Sequence, residues 1–343
     1  MKEAFFEFYR LDKKKLKEIW ENGLIVLDAN ALLDLYRYSA KTRNALLRIL
    51  RKNKDRIWIP HQFALEYHIN RLDVVHDQEK AYKEVEGILE KSSAELSKYA
   101  KHPFLKIVEN KNKIESIVKK IKEIEEKHPD WFQEDKICDS ITKLFKGKVG
   151  KPYNEKEAKE KYEEGAKRYE NEIPPGYKDE KKGLKKYGDL IGWFQIIDKA
   201  KEVKKHIILI TGERKEDWWR KVAGKMIGPR CELIREIHDK AGVSLNIYSI
   251  KNFLEHAKPE YRKIIDNEVI EEVKKIEKEI IKEIEEYPKV YPPVEVSSVV
   301  SERGPTAKPT VTGNNIDKFV EKLLEESLKK NIKPEKTKNK KKK

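Results

Sequence analysis

Cysteine is almost absent from this chain. Cys138 and Cys231 are the only two in 343 residues, 93 positions apart, with no CxxC pair and no Cys/His cluster beside them. That argues against a disulfide framework and against a structural zinc site. No stretch approaches the roughly 18 consecutive apolar residues of a membrane span, so a membrane is not an expected partner. The N-terminal run Met1-Lys2-Glu3-Ala4-Phe5-Phe6-Glu7 places acids where a secretion signal carries a long apolar core, which makes the expected location cytoplasmic. Apolar residues are sparse at 38% against 40% charged, yet six Trp, fifteen Tyr and ten Phe exclude wholesale disorder. Abundant charge of both signs with two Met and two Cys resembles a thermophile's composition, which bears on stability and not on activity.

What the chain has in excess is positive charge, formally +15 with a pI near 9.3. Residues 329–343 hold nine Lys against one Glu, so +8 of the excess sits in a terminal tail and +7 is spread over the rest. A polyanion is the expected partner, nucleic acid being the commonest.

Leu24-Ile25-Val26-Leu27 is a short unbroken apolar run, read as a strand buried on both faces, and a helical pattern from Leu32 to Leu50 follows it. Ile57-Trp58-Ile59 reads as a second strand closed by Pro60. Alternation resumes with a helix over Asp189–Val203, the strand Ile207–Ile210, a helix starting near Lys215, the strand Leu245–Ser249 and a helix to Ala257. This order predicts an α/β fold with a central parallel sheet between helical layers. Residues 75–180 are charged, with apolar positions at helical spacing, and are expected to form a helical insertion folded back at His102-Pro103. The expected organisation is thus a domain of residues 1–74 and 181–257 carrying that insertion. A C-terminal helix at 258–287, a linker at 288–315, a short amphipathic helix at 316–328 and the basic disordered tail at 329–343 complete it. The insertion and the C-terminal helices are the expected surfaces for a protein partner or a second copy.

Ligands of parallel sheets gather outside the carboxyl ends of the strands, so polar residues just after a strand carry most weight. Asp28 and Asn30 follow the first strand, Glu66 lies on the helix after the second, and Thr211-Gly212-Glu213 follow the third. Asp189, after Gly188 at a helix start, points to the same edge. Each has an ordinary structural alternative: Asp28 as a helix cap, Glu66 as a solvated charge, Gly188-Asp189 as a turn and cap. Four acids at one edge would repel unless a divalent cation neutralised them.

Ile25-Val26-Leu27-Asp28-Ala29-Asn30, Pro60–Tyr67 with Asn70-Arg71, Tyr187-Gly188-Asp189-Leu190-Ile191, and Thr211–Trp219 resemble the motifs of PIN-domain nucleases, in that family's order. More narrowly the chain resembles a prokaryotic PIN-like subfamily with a helical insertion and a Lys-Glu-Asp-Trp-Trp segment followed by Gly-Pro-Arg, here Lys215–Trp219 and Gly228–Arg230. The resemblance implies a metal-dependent endoribonuclease acting on single-stranded RNA in preference to DNA, with Mg²⁺ or Mn²⁺ held by Asp28, Glu66, Asp189 and Glu213. The family places Asp where this chain has Gly212-Glu213, so Asp217, one helical turn on, stands as an alternative fourth ligand. Asn30 and Thr211 are expected to hydrogen-bond the carboxylates into place, and Lys215 and Arg230 to contact phosphates, while Trp218 and Trp219 read better as core.

Hard carboxylate oxygens suit Mg²⁺, which activates water and stabilises a leaving oxygen, so no Ser or Cys nucleophile is required. His61, His68 and His76 lack metal-ligand spacing. A phosphatase of the haloacid dehalogenase type is disfavoured, because Asn30 occupies its second Asp position and the order of the later motifs is reversed. The competing class is a PIN-fold module that binds nucleic acid or assembles with partners without cleaving efficiently.

Overall fold

Two aliphatic runs, Leu24–Leu27 and Ile207–Ile210, lie side by side in the middle of a sheet, and their apolar content explains why they are buried there. The computed structural model describes residues 1–179, 186–223 and 225–286, without the side chains of 281–286. In chain order its elements are α1 (Lys13–Asn22), β1 (Leu24–Leu27), α2 (Ala29–Leu33), α3 (Ala40–Lys52), β2 (Ile57–Trp58), α4 (His61–Ser97) and α5 (Ile107–Glu125). There follow α6 (Lys136–Phe145), α7 (Glu155–Glu170), α8 (Gly188–Val203), β3 (Ile207–Ile210), β4 (Trp219–Val222), β5 (Lys225–Pro229), α9 (Cys231–Ala241), β6 (Leu245–Tyr248), α10 (Ile250–Ala257) and α11 (Asn267–Glu286).

The sheet is parallel with order β2-β1-β3-β6. Every residue of β1 and β3 is buried, as expected for central strands covered on both faces. Helices pack in two rows, α4–α8–α9 and α3–α11–α10, giving the three-layer α/β arrangement. The register runs Leu24 with Ile207 through Leu27 with Ile210, and Ile210 with Tyr248. The ladder continues one step further: the Asp28 amide donates to Ile210 O at 3.0 Å and the Thr211 amide to Tyr248 O at 3.0 Å. Asp28 and Thr211 are therefore brought to the carboxyl edge side by side.

The helix expected near Lys215 is replaced by an antiparallel hairpin. β4 and β5 pair from Trp219 with Pro229 to Val222 with Lys225, with an irregularity at Arg220/Lys221, and the helix begins only at Cys231. Trp218 and Trp219 are buried. α4 runs unbroken from the helix turn that carries Glu66 into the insertion, and α5 returns beside it after a turn containing His102-Pro103. The C-terminal helix lies against α3 and α10 and buries Val269, Ile270 and Val273 on the domain.

Among the described residues, 1–152 and 167–286 form one compact unit; the other contains residues 153–166, the first turns of charged α7, within which Lys161 and Glu164 pair at 3.5 Å. The linker, amphipathic helix and tail expected at 288–343 lie outside the described residues. Among the described residues both cysteines are free thiols, and no helix is long and apolar enough to cross a membrane.

Candidate active site

Asp28 caps α2. Its Oδ1 accepts the Ala31 amide at 2.6 Å, and its Oδ2 accepts the Thr211 hydroxyl. Thr211 Oγ1 in turn accepts the Glu213 amide at 2.8 Å, so the threonine ties the carboxylate of β1's edge to the loop after β3. With 7% of its surface exposed, Asp28 is pushed up from 3.8 to about 7, first by burial, then by the charges of Glu213 and Asp189, against the two hydrogen bonds. Capping and membership of an acidic group are thus both true of this residue.

Glu213 curls back over its own loop, a reach its extra methylene allows. Oε1 accepts the Arg214 and Lys215 amides at 2.7 and 3.0 Å, and Oε2 accepts the Lys215 ammonium at 2.9 Å. Gly212 leaves room for this tight passage, since a Cβ there would lie 2.9 Å from Asn30 Cβ. Asn30 therefore packs under the loop as well as starting α2.

Asp189 sits in the first turn of α8, where its Oδ2 accepts Trp218 Nε1 at 3.3 Å. Glu66 approaches from α4: it accepts Gln62 Nε2 at 2.8 Å, and a Cβ on Gly188 would stand 2.1 Å from its Oε1. A glycine immediately before Asp189 is what lets the two acids' elements come this close.

Lys215, expected to contact phosphate, points inward instead. Its ammonium lies 2.8 Å from Asp179, 2.9 Å from Glu213 and 3.7 Å from Asp189. Burial alone would lower its pKa, but these three carboxylates outweigh that and raise it above the ordinary value, so the lysine is a fixed positive charge. Asp179 carries no sequence signal of its own because it follows no strand. It stands three residues after Gly176, whose left-handed φ of +92° turns the chain back towards the sheet edge.

Asp217, the alternative fourth ligand, is fully buried and its Oδ2 is committed to that turn, accepting the Gly176 and Lys178 amides at 2.9 and 3.3 Å. Its Oδ1 is buried and has no hydrogen-bond partner among the described residues. Burial raises its pKa, Glu213 adding to the shift and Lys215 opposing it.

Arg230 lies at the surface, forked onto Glu232 at 3.0 and 2.5 Å. With Arg220, Lys221, Arg235 and Phe8 it lines a shallow cleft of about 350 Å³ beside the hairpin, where Glu232 and Glu7 pair with Arg230 and Arg235.

Residues 24–233, more than half of the chain, match the family model of the PIN-like domain. The chain belongs to the PIN-like domain family. PIN-like domains are generally nucleases and typically use divalent metals, so this is a nuclease-type fold. No curated protein and no solved structure matches the chain. Against the family's habit, no three His, Cys, Asp or Glu side chains among the described residues are gathered closely enough to hold a metal ion as they stand. The donor chemistry nevertheless fits: Asp28, Asp189 and Glu213 present hard oxygens within electrostatic reach of one another, and Asp217 Oδ1 is a buried oxygen with no hydrogen-bond partner among the described residues.

Proposed function

We propose that the chain is a metal-dependent endonuclease that hydrolyses phosphodiester bonds in single-stranded RNA, with Asp28, Asp189 and Glu213 holding Mg²⁺ or Mn²⁺ and Glu66 completing the group from α4. The observation that carries this reading is the register of β1 and β3. It sets Asp28 beside Thr211 at the carboxyl edge, with two further carboxylates acting on Asp28 from α8 and the β3 loop. A bound divalent ion supplies activation of water and neutralisation of the phosphate's charge. The protein's own groups orient the site: Thr211 holds Asp28, Gly188 lets Glu66 approach the start of α8, and the buried Trp218 fixes Asp189. The cleft carrying Arg220, Lys221 and Arg230 suits the backbone of a nucleic acid, and the expected location is cytoplasmic.

The test is cleavage of a labelled single-stranded RNA with Mn²⁺. Asp28→Asn and Asp189→Asn should each abolish cleavage with the fold retained, and full activity in either sinks the proposal. Loss in both with Glu213→Gln still active moves the fourth acid to Asp217. The ammonium of Lys215 among the acids favours a second reading, a binding or assembly module with little catalysis. RNA bound but left intact at saturating Mn²⁺ would select it.

A further inference from the structure

Lys215 stands where a cation among these acids would stand. Its ammonium meets three carboxylates on three different segments of the chain, Asp179 and Glu213 at hydrogen-bond distance and Asp189 at an ion-pair distance of 3.7 Å. An ammonium on a four-carbon stem can satisfy this arrangement and can also leave it by rotating the stem.

The partners fall into two sets. Asp189 and Glu213 are the carboxylates whose charges bear on Asp28. Asp179 sits elsewhere: it is delivered by the Gly176 turn that Asp217 holds, and its charge falls on Tyr169 together with those of Asp189 and Asp217. It is buried, with 6% of its surface exposed, and its Oδ1 meets the ammonium at 2.8 Å. One lysine does not fill the acceptor capacity here, because the wholly buried Asp217 Oδ1 has no donor among the described residues although the charges of Lys215 and Glu213 act on Asp217.

We propose that Lys215 is a built-in counter-ion which a divalent cation must displace from Glu213 and Asp189, and that Asp179 is the positioning residue that tethers it. The inference rests on reading Asp28, Asp189 and Glu213 as metal-binding. Without metal, the ammonium keeps the acids from repelling one another and holds the loop after β3, the α8 start and the Gly176 turn together. When a divalent ion enters, the lysine leaves Glu213 and Asp189 and remains on Asp179. Metal affinity is therefore set lower than the bare acids would give, so occupancy responds to the free concentration of the ion.

The experiment is calorimetric titration of metal-stripped full-length protein with Mn²⁺, alongside thermal melts in EDTA. Lys215→Met, which keeps the stem and removes the charge, should bind Mn²⁺ about tenfold more tightly and melt at a lower temperature without metal. Asp179→Asn removes the one partner that the lysine keeps once metal is bound, so Mn²⁺ binding should weaken in the otherwise wild-type protein and be unchanged by the same substitution in Lys215→Met. It also serves as the readout if Lys215→Met does not hold its fold in EDTA. Unchanged or weaker binding in Lys215→Met, with Asp28→Asn abolishing the binding seen in wild type, overturns the exchange and leaves the metal site standing. Binding weakened by Asp179→Asn in the Lys215→Met background as well makes Asp179 a ligand and overturns its role as tether. No Mn²⁺ binding by wild type or by Lys215→Met removes the metal reading and the exchange together.

Discussion

Asp28 carries a burial cost that its two hydrogen bonds only partly offset, which makes it the residue whose replacement is most informative. A carboxyl that holds its proton more tightly when folded favours folding fully below its ordinary value of 3.8, and that contribution is lost as pH rises towards 7. Asparagine caps a helix about as well and has nothing to titrate. In EDTA, the stability of Asp28→Asn relative to wild type should therefore rise between about pH 4 and pH 7, by up to about 4 kcal/mol. A difference that stays flat across that range in urea melts would show that Asp28 does not titrate there. Gly188 separates position from stability in another way. A Cβ at this site meets the end of a flexible glutamate, and alanine favours a helix by about 1 kcal/mol over glycine. Gly188→Ala should thus keep or raise the melting temperature while displacing Glu66 and lowering cleavage. Retained cleavage would detach Glu66 from the site.

At the scale of elements, α11 is tied to the site's surroundings by two acids. Glu272 accepts the Ser39 amide and hydroxyl at 2.5 and 2.7 Å and the Thr42 hydroxyl at 2.6 Å, clamping the start of α3. Glu277 accepts the Lys251 amide at 3.1 Å and pairs with Arg214 at 2.8 Å, beside Glu213. Both partners of that pair are largely buried, so removing one leaves a charge without compensation. Glu277→Ala should cost about 3 kcal/mol, and Glu277→Gln, which still accepts a hydrogen bond, about 1 kcal/mol. No loss for Glu277→Gln in chemical denaturation would show that the charge of Glu277 contributes nothing. Elements also differ in how plainly the sequence announces them. β1 and β3 stand out because a strand covered on both faces has to be apolar throughout. The hairpin of β4 and β5 reads as helix in the sequence because Trp219-Arg220-Lys221-Val222 and Lys225–Pro229 have mostly exposed, mixed side chains, and only their pairing defines them.

At the scale of the whole molecule, basicity is divided between the folded domain and the terminal residues 329–343, which carry +8 of the +15. Lysines neutralise phosphates without reading bases, so truncation after Leu328 should weaken binding to single-stranded RNA equally for different sequences. The slope of log K against log salt should flatten by about 0.7 for each phosphate that the tail no longer neutralises. An unchanged slope would exclude the tail from binding. Cleavage by the truncated protein at low salt should persist, because the acids all lie between Asp28 and Asp217.

Hydrophobic patterning by itself determined the four strands of the parallel sheet and the polar residues that follow them, since an apolar run between helical segments and the carboxyl-edge rule are local consequences of residue type. Asp28 and Glu213 were legible on that basis as candidates, and Glu66 and Asp189 as candidates on the helices beside them. The partners of those acids were decided by the tertiary structure alone. Asp179 follows no strand and reaches the site only because Asp217 and Gly176 turn a distant segment back. The direction of Lys215 depends on where three carboxylates from separate segments converge. A charged side chain on a loop takes the orientation its neighbours' fields select, and those neighbours exist only once the chain has folded.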